Sequence, residues 1–126
     1  MRGNNKVYEI SFYEDKNGKS PVYEFIQELS LKADKDSRIN SKKINDYIQF
    51  LSEKGKAAGE PYIKHVDGEI WELRPIRNRI FFASWSEDGF ILLHHFLKQT
   101  QKTPKREIDQ AKKNLIDITE RKDDYE

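Results

Sequence analysis

Three arginines crowd the stretch "EIWELRPIRNRIFF", and the next apolar run ends in "LLHHFLKQTQKTPKRE". Between them they supply Glu72, Arg74, Arg77, Arg79, His94, Lys98, Lys102 and Lys105. These residue types suit phosphate. The planar arginine fork can hold two phosphate oxygens, and a lysine can neutralise charge that builds on phosphorus during transfer. An imidazole titrates near neutral pH and can move a proton there. Strand alternation decides which of them can meet. If Trp71 and Leu73 pack against helices, Glu72 and Arg74 point the other way, with Arg77 and Arg79. His94 and Lys98 of the following strand can join that face.

Each of these residues also has a plainer reading. Arginines on open strand faces are commonly solvated or salt-bridged, and Glu72 can simply pair with Arg74 or Arg79. His94 and His95 resemble a metal pair, but neighbours on a strand point to opposite faces and do not chelate one ion. No metal site and no cofactor is expected. His95 falls in an apolar row and is expected to be a hydrogen-bonded structural residue. Lys98, Lys102, Lys105 and Arg106 gather at the start of a last helix, where free backbone N–H groups favour anions. A solvated basic loop is the alternative. The phenylalanines are expected in the core, with Phe81 or Phe96 available to stack on a base.

The elements that must position these groups follow from periodicity. "VYEISFY" is β-branched and aromatic and reads as a first strand. Ser20-Pro21 reads as an N-cap followed by proline at the first helical position, with Val22, Phe25, Ile26 and Leu29 at helical spacing. After "KADKDS" a second helix carries Ile44, Tyr47, Ile48 and Leu51 and stops at Gly55. "GKAAGEP" reads as a loop. Three strands follow, in "EIWELRP", "NRIFFASW" and "GFILLHHF", the last a continuous apolar run suited to a central position. "PIRN" and "SEDG" are short enough for antiparallel hairpins. Thr103-Pro104 opens a last helix with Ile108, Ala111, Leu115 and Ile118, and the charged tail "ERKDDYE" is expected to fray. The order β-α-α-β-β-β-α predicts an α+β domain over residues 1–126, with helices packed on one face of a mainly antiparallel twisted sheet.

Composition narrows the function classes. At 126 residues the chain is one domain's worth. Aromatics make up 12%, enough area to bury and too much for a disordered chain. The net charge is +1, so any nucleic-acid site must come from local clustering rather than bulk charge. The absence of cysteine excludes disulfides, thiolate catalysis and cysteine zinc sites. "MRGNNKVYEI" has no apolar signal core, and no run approaches the roughly 20 residues that span a bilayer. A cytoplasmic protein with no membrane association is expected.

"EIWELRPIRNRIFFASW" followed by "ILLHHFLKQTQKTPKREIDQAKKNL" resembles the RelE/HigB toxins of bacterial and phage type II toxin–antitoxin systems, most closely the HigB-like branch. The similarity covers the C-terminal half; the first half matches in layout. Arg74 matches the arginine of the "ELR" element, Arg79 the arginine that contacts the scissile phosphate in RNA-cleaving relatives, and His94, Lys98 and Lys102 the histidine and lysines that follow. His95 stands where glycine is usual, Gln99 where a second lysine is usual, and Pro75 interrupts the run after "ELR". The resemblance implies a RelE-like fold and a metal-independent endoribonuclease that cuts mRNA on the ribosome, most often in the A site. It implies a cognate helix-turn-helix antitoxin, in a complex expected to be a heterotetramer. On that reading Arg79 holds the phosphate, Arg74 and Lys98 add charge stabilisation, and His94 or Glu72 serves as base or acid. Arg77, Lys102 and Lys105 grip flanking phosphates. A topoisomerase poison of the ParE type and a non-catalytic RNA- or protein-binding module are the competing functions.

Overall fold

A computed structural model describes residues 7–124; the first six residues and the last two of the charged tail lie outside the described residues. The elements are β1 (Glu9–Phe12), α1 (Pro21–Leu31), α2 (Lys35–Lys54), a short 3-10 turn (Gly55–Ala58), β2 (Ile63–Asp67), β3 (Ile70–Leu73), β4 (Asn78–Trp85), β5 (Gly89–Leu97) and α3 (Lys105–Asp124). The five strands form one sheet in the order β1-β5-β4-β3-β2, with β1 parallel to β5 and every other pair antiparallel. The α+β, mainly antiparallel architecture is as expected, and β5 is an interior strand covered on both sides, as its apolar run predicts, with Leu92 and Leu93 buried on opposite faces.

Three expectations change. The segment 63–67, assigned to no element from its sequence, is a fifth strand paired with β3. Its outward Lys64 and His65 dilute the apolar signal at an edge position. The helices do not share one face. Val22, Ile44 and Leu51 of α1 and α2 pack with Leu73, Ile80, Phe82 and Leu92. On the other side Ile108, Ala111, Leu115 and Ile118 of α3 pack with Ile70, Phe81, Ala83, Ile91 and Leu93. β4 and β5 are apolar on both sides, so each face needs its own cover. Finally, the tail stays helical to Asp124.

The helix ends show local chemistry. Ser20 does not cap α1; its hydroxyl donates to the Tyr13 carbonyl at 2.8 Å, and Pro21 alone starts the helix. Asp34 caps α2 by accepting from the Ser37 N–H at 2.9 Å. Gly55 ends α2 at φ 61°, as its position predicts, and a side chain there would strike the Tyr8 ring. No helix among the described residues is long and apolar enough to cross a membrane.

A bulge in β5 controls which residues face the site. Phe81 pairs with His94 and Phe82 with Leu92, leaving Leu93 as the extra residue. Beyond it the strand's alternation changes phase. His95 then pairs with Ile80 on the α1/α2 face, and Phe96 with Arg79 on the other. The buried Asn114 side chain of α3 donates to the Leu93 carbonyl at 2.8 Å, which anchors the helix at the bulge.

Candidate functional site

β3 and β4 carry their charged residues past the end of α3, on the face that helix only partly covers. Glu72 sits opposite Phe81, and Phe81 opposite His94, so the three form one row across the sheet. Trp71 and Leu73 pack toward α1 and α2 as expected. At the open end of that face lies a cleft of about 650 Å³, lined by Lys64, Arg74, Arg77, Arg79, Lys98, Gln99, Thr100 and Gln101. Arg74, Arg77, Arg79 and Lys98 are thus brought together. The Lys98 N–H donates to the Arg77 carbonyl at 2.8 Å, which ties the end of β5 to the turn before β4.

Arg79 is not on an open face. It is only 9% exposed, and its Nη1 donates to the carbonyls of Ile76 at 3.0 Å and Asn78 at 2.9 Å. Its Nε has no partner among the described residues. Burial lowers its pKa; the nearby Glu72 charge opposes that shift, and Arg74 adds to it. Ile76 itself has φ 59°, a left-handed conformation that a β-branched side chain resists. The turn therefore holds its carbonyl toward Arg79 at some conformational cost.

Glu72 lies under the arginines. Its side chain is 4% exposed, with Oε2 at 3.3 Å from Arg74 Nε. Its other oxygen is buried without a partner among the described residues. Arg74 Nη1 also approaches the exposed Glu60 at 3.9 Å.

His94 shares this face but sits inward, beneath the first turn of α3, and does not line the cleft. Its Nε2 lies 2.6 Å from Glu107 Oε1, and both side chains are mostly buried. Phe81 and Phe96 flank its ring. Both phenylalanines are core residues, so the expected base-stacking surface is absent from these two rings. His95 points the opposite way. It stacks on Phe25 at 3.6 Å between ring centroids and hydrogen-bonds Asn78 Oδ1 at 2.9 Å. Burial lowers its pKa to about 4, helped by the neighbouring His94 and opposed by Glu107. The two histidines therefore cannot share an ion, and His95 has the structural role expected of it. Lys102 and Lys105 are exposed and outside the cleft; Lys105 pairs with Asp109 at 3.0 Å.

Two charged members of the site were not foreseen, nor were Gln99, Thr100 and Gln101 of the cleft lining. Lys64 enters from β2, whose short alternating "IKHVD" followed a predicted loop. Glu107 was visible as an acid in the first turn of α3, but nothing local to it points to a histidine thirteen residues earlier.

What the arrangement can do is bind a polyanion along an open basic cleft whose floor is fixed by buried charge pairs. No curated protein matches the chain. Residues 24–115, from α1 into α3 and including every cleft residue, match the family described as Phage derived protein Gp49-like (DUF891). With well over half of its length matched, the chain belongs to this phage-derived family, a toxin-like family of the RelE/HigB type associated with toxin–antitoxin systems.

Proposed function

We propose that this protein is the toxin of a type II toxin–antitoxin pair, of the HigB-like branch. It acts in the cytoplasm as a metal-independent endoribonuclease on mRNA in the ribosomal A site. The observation that carries this reading is the convergence of Arg74, Arg77, Arg79 and Lys98 on one cleft. The ribose 2′-hydroxyl attacks the adjacent phosphorus, the bond to the 5′-oxygen breaks, and the products are a 2′,3′-cyclic phosphate and a 5′-hydroxyl. Arg79 holds a non-bridging oxygen, and Arg74 and Lys98 offset the charge that builds there. His94 lies behind the cleft lining with Nε2 on Glu107, so for its other ring nitrogen to take the 2′-hydroxyl proton RNA binding must bring the ribose to the ring. The imidazolium so formed returns a proton to the leaving oxygen. Arg77 holds a flanking phosphate; Lys102 and Lys105 take phosphates farther along the chain. A cognate helix-turn-helix antitoxin neutralises the toxin in a heterotetramer.

The test is to add purified protein to translating ribosomes and map message ends by primer extension. New ends inside the reading frame, with 5′-hydroxyl termini, are expected, together with growth arrest on expression in cells. Arrest with intact message would sink the ribonuclease reading and redirect attention to topoisomerase poisoning.

A further inference from the structure

Two guanidinium groups at the mouth of one cleft repel each other, and one of them, Arg79, is buried. Something must offset that charge before any ligand arrives. Glu72 is the carboxylate placed to do so. It is 4% exposed and 3.3 Å from Arg74 Nε, and its charge favours the ionised form of Arg79. Neither its second oxygen nor Arg74 Nε has a hydrogen-bond partner among the described residues, so the contact with Arg74 is an ion pair without a hydrogen bond. A general base must come within hydrogen-bond reach of the hydroxyl it deprotonates, and a carboxylate packed beneath Arg74 does not present an oxygen to RNA in the cleft. The exposed Glu60, at 3.9 Å and 66% exposed, is a weaker and solvent-screened partner.

We infer that Glu72 is a positioning residue: the buried counter-ion that orients Arg74, offsets the charge gathered at the cleft and lowers its ground-state grip on phosphate. The inference rests on the reading that the cleft takes RNA phosphates. Its consequence is a split between binding and turnover. Glu72→Gln nearly preserves shape, adds one positive unit to the cleft, and releases Arg74 from its fixed orientation. Ground-state binding tightens while the aligned transition-state contacts loosen.

The experiment compares parent, Glu72→Gln, Glu72→Asp, Arg74→Ala and the Glu72→Gln/Arg74→Ala double variant, each checked by thermal melting. Binding is measured with a single-stranded oligonucleotide carrying 2′-deoxyribose throughout, which cannot be cleaved. Glu72→Gln is expected to bind on the order of tenfold tighter at low salt; equal or weaker binding overturns the inference. In cleavage, Glu72→Gln is expected to lower both KM and kcat, kcat by roughly tenfold or more. The acidic limb of its pH–rate profile should stay where the parent's lies. Loss of that limb would make Glu72 the base and overturn the counter-ion role. Glu72→Asp, which keeps the charge, should recover part of the rate. The double variant should cleave no more slowly than Arg74→Ala, because the carboxylate then has no Arg74 to align. Additive losses count against the inference. The double variant also removes both members of the buried pair, so it keeps the test open if Glu72→Gln alone fails to fold. A parent protein that cuts no RNA would sink the proposed function, and the binding arm would still decide the role of Glu72.

Discussion

Arg79 joins structure and proposed chemistry in one side chain. Its Nη1 bonds to the Ile76 and Asn78 carbonyls fix the guanidinium at the edge of the cleft. Arg79→Ala should therefore lose about a hundredfold or more in RNA cleavage, and also about 1–3 kcal/mol of stability, because two carbonyls lose their donor. Arg79→Lys keeps a charge but not the planar fork and should restore only part of either loss. Cleavage rates taken well below each variant's melting point separate the two effects; a parental rate in folded Arg79→Ala would end the phosphate role. His95 gives a second prediction at this scale. Its folded pKa is lowered to about 4 by burial, against an unfolded value near 6.5. Between those values the unfolded chain binds the extra proton, so stability falls as pH drops from 6.5 to 4. The contribution lost is at most about 3 kcal/mol. Melting curves of parent and His95→Gln across that window should show a shallower slope for the variant. Equal slopes would mean that the ring is not held neutral by its Phe25 and Asn78 contacts.

Among the elements, α3 has most to do with the site without entering the cleft. Its Asn114 satisfies the carbonyl exposed by the β5 bulge, its apolar stripe covers the second core, and its first turn brings Glu107 to His94. At its far end Asp117 accepts from the Tyr13 hydroxyl at 2.6 Å and pairs with Arg121 at 2.9 Å. Burial, reinforced by Asp117, raises the Tyr13 pKa to about 12. With Lys112 on Asp67 at 2.6 Å and Arg121 on the Glu14 carbonyl, these contacts hold the helix along its length, Asn114 being the middle one. Asn114→Ala removes the middle one and leaves the Leu93 carbonyl buried without its partner, at about 1–3 kcal/mol. Amide hydrogen exchange should speed up along α3 more than in β3 or β4, and the His94–Glu107 pair should loosen with it. Uniform exchange changes across the sheet would show that the bond is not specific to helix docking.

For the molecule as a whole, charge is arranged rather than accumulated. A net charge of +1 coexists with an open cleft lined by five cations. Binding of a single-stranded oligonucleotide should therefore depend on salt through the cleft first, and through Lys102 and Lys105 beyond it. Each phosphate contact contributes roughly −0.7 to the slope of log K against log salt, so about three or four contacts give a slope near −2 to −3. If the Lys102 and Lys105 contacts are also made, the slope steepens by roughly −1.4, and Lys102→Ala/Lys105→Ala removes that excess. An unchanged slope in that double variant would confine recognition to the cleft.

The residues themselves already determined much of this. Apolar spacing placed all three helices, and the two-sided apolar run placed β5 inside the sheet, between β1 and β4, because burial periodicity is a local property of the chain. Alternation on β3 put Glu72 and Arg74 on the face away from α1 and α2, where the structure has them. The adjacency of His94 and His95 predicted that their rings point to opposite faces, as they do. Tertiary structure alone decided the rest. The β5 bulge is set by strand pairing, and it, rather than simple alternation, fixes which face His94, His95 and Phe96 occupy. The side covered by α3 depends on which face α1 and α2 leave open, and β2 is a strand because β3 offers it an edge. The burial of Arg79 and Glu72 and the pairing of His94 with Glu107 depend on residues brought together from separate elements. Local patterning says which way a side chain can point, but what it meets there is a property of packing.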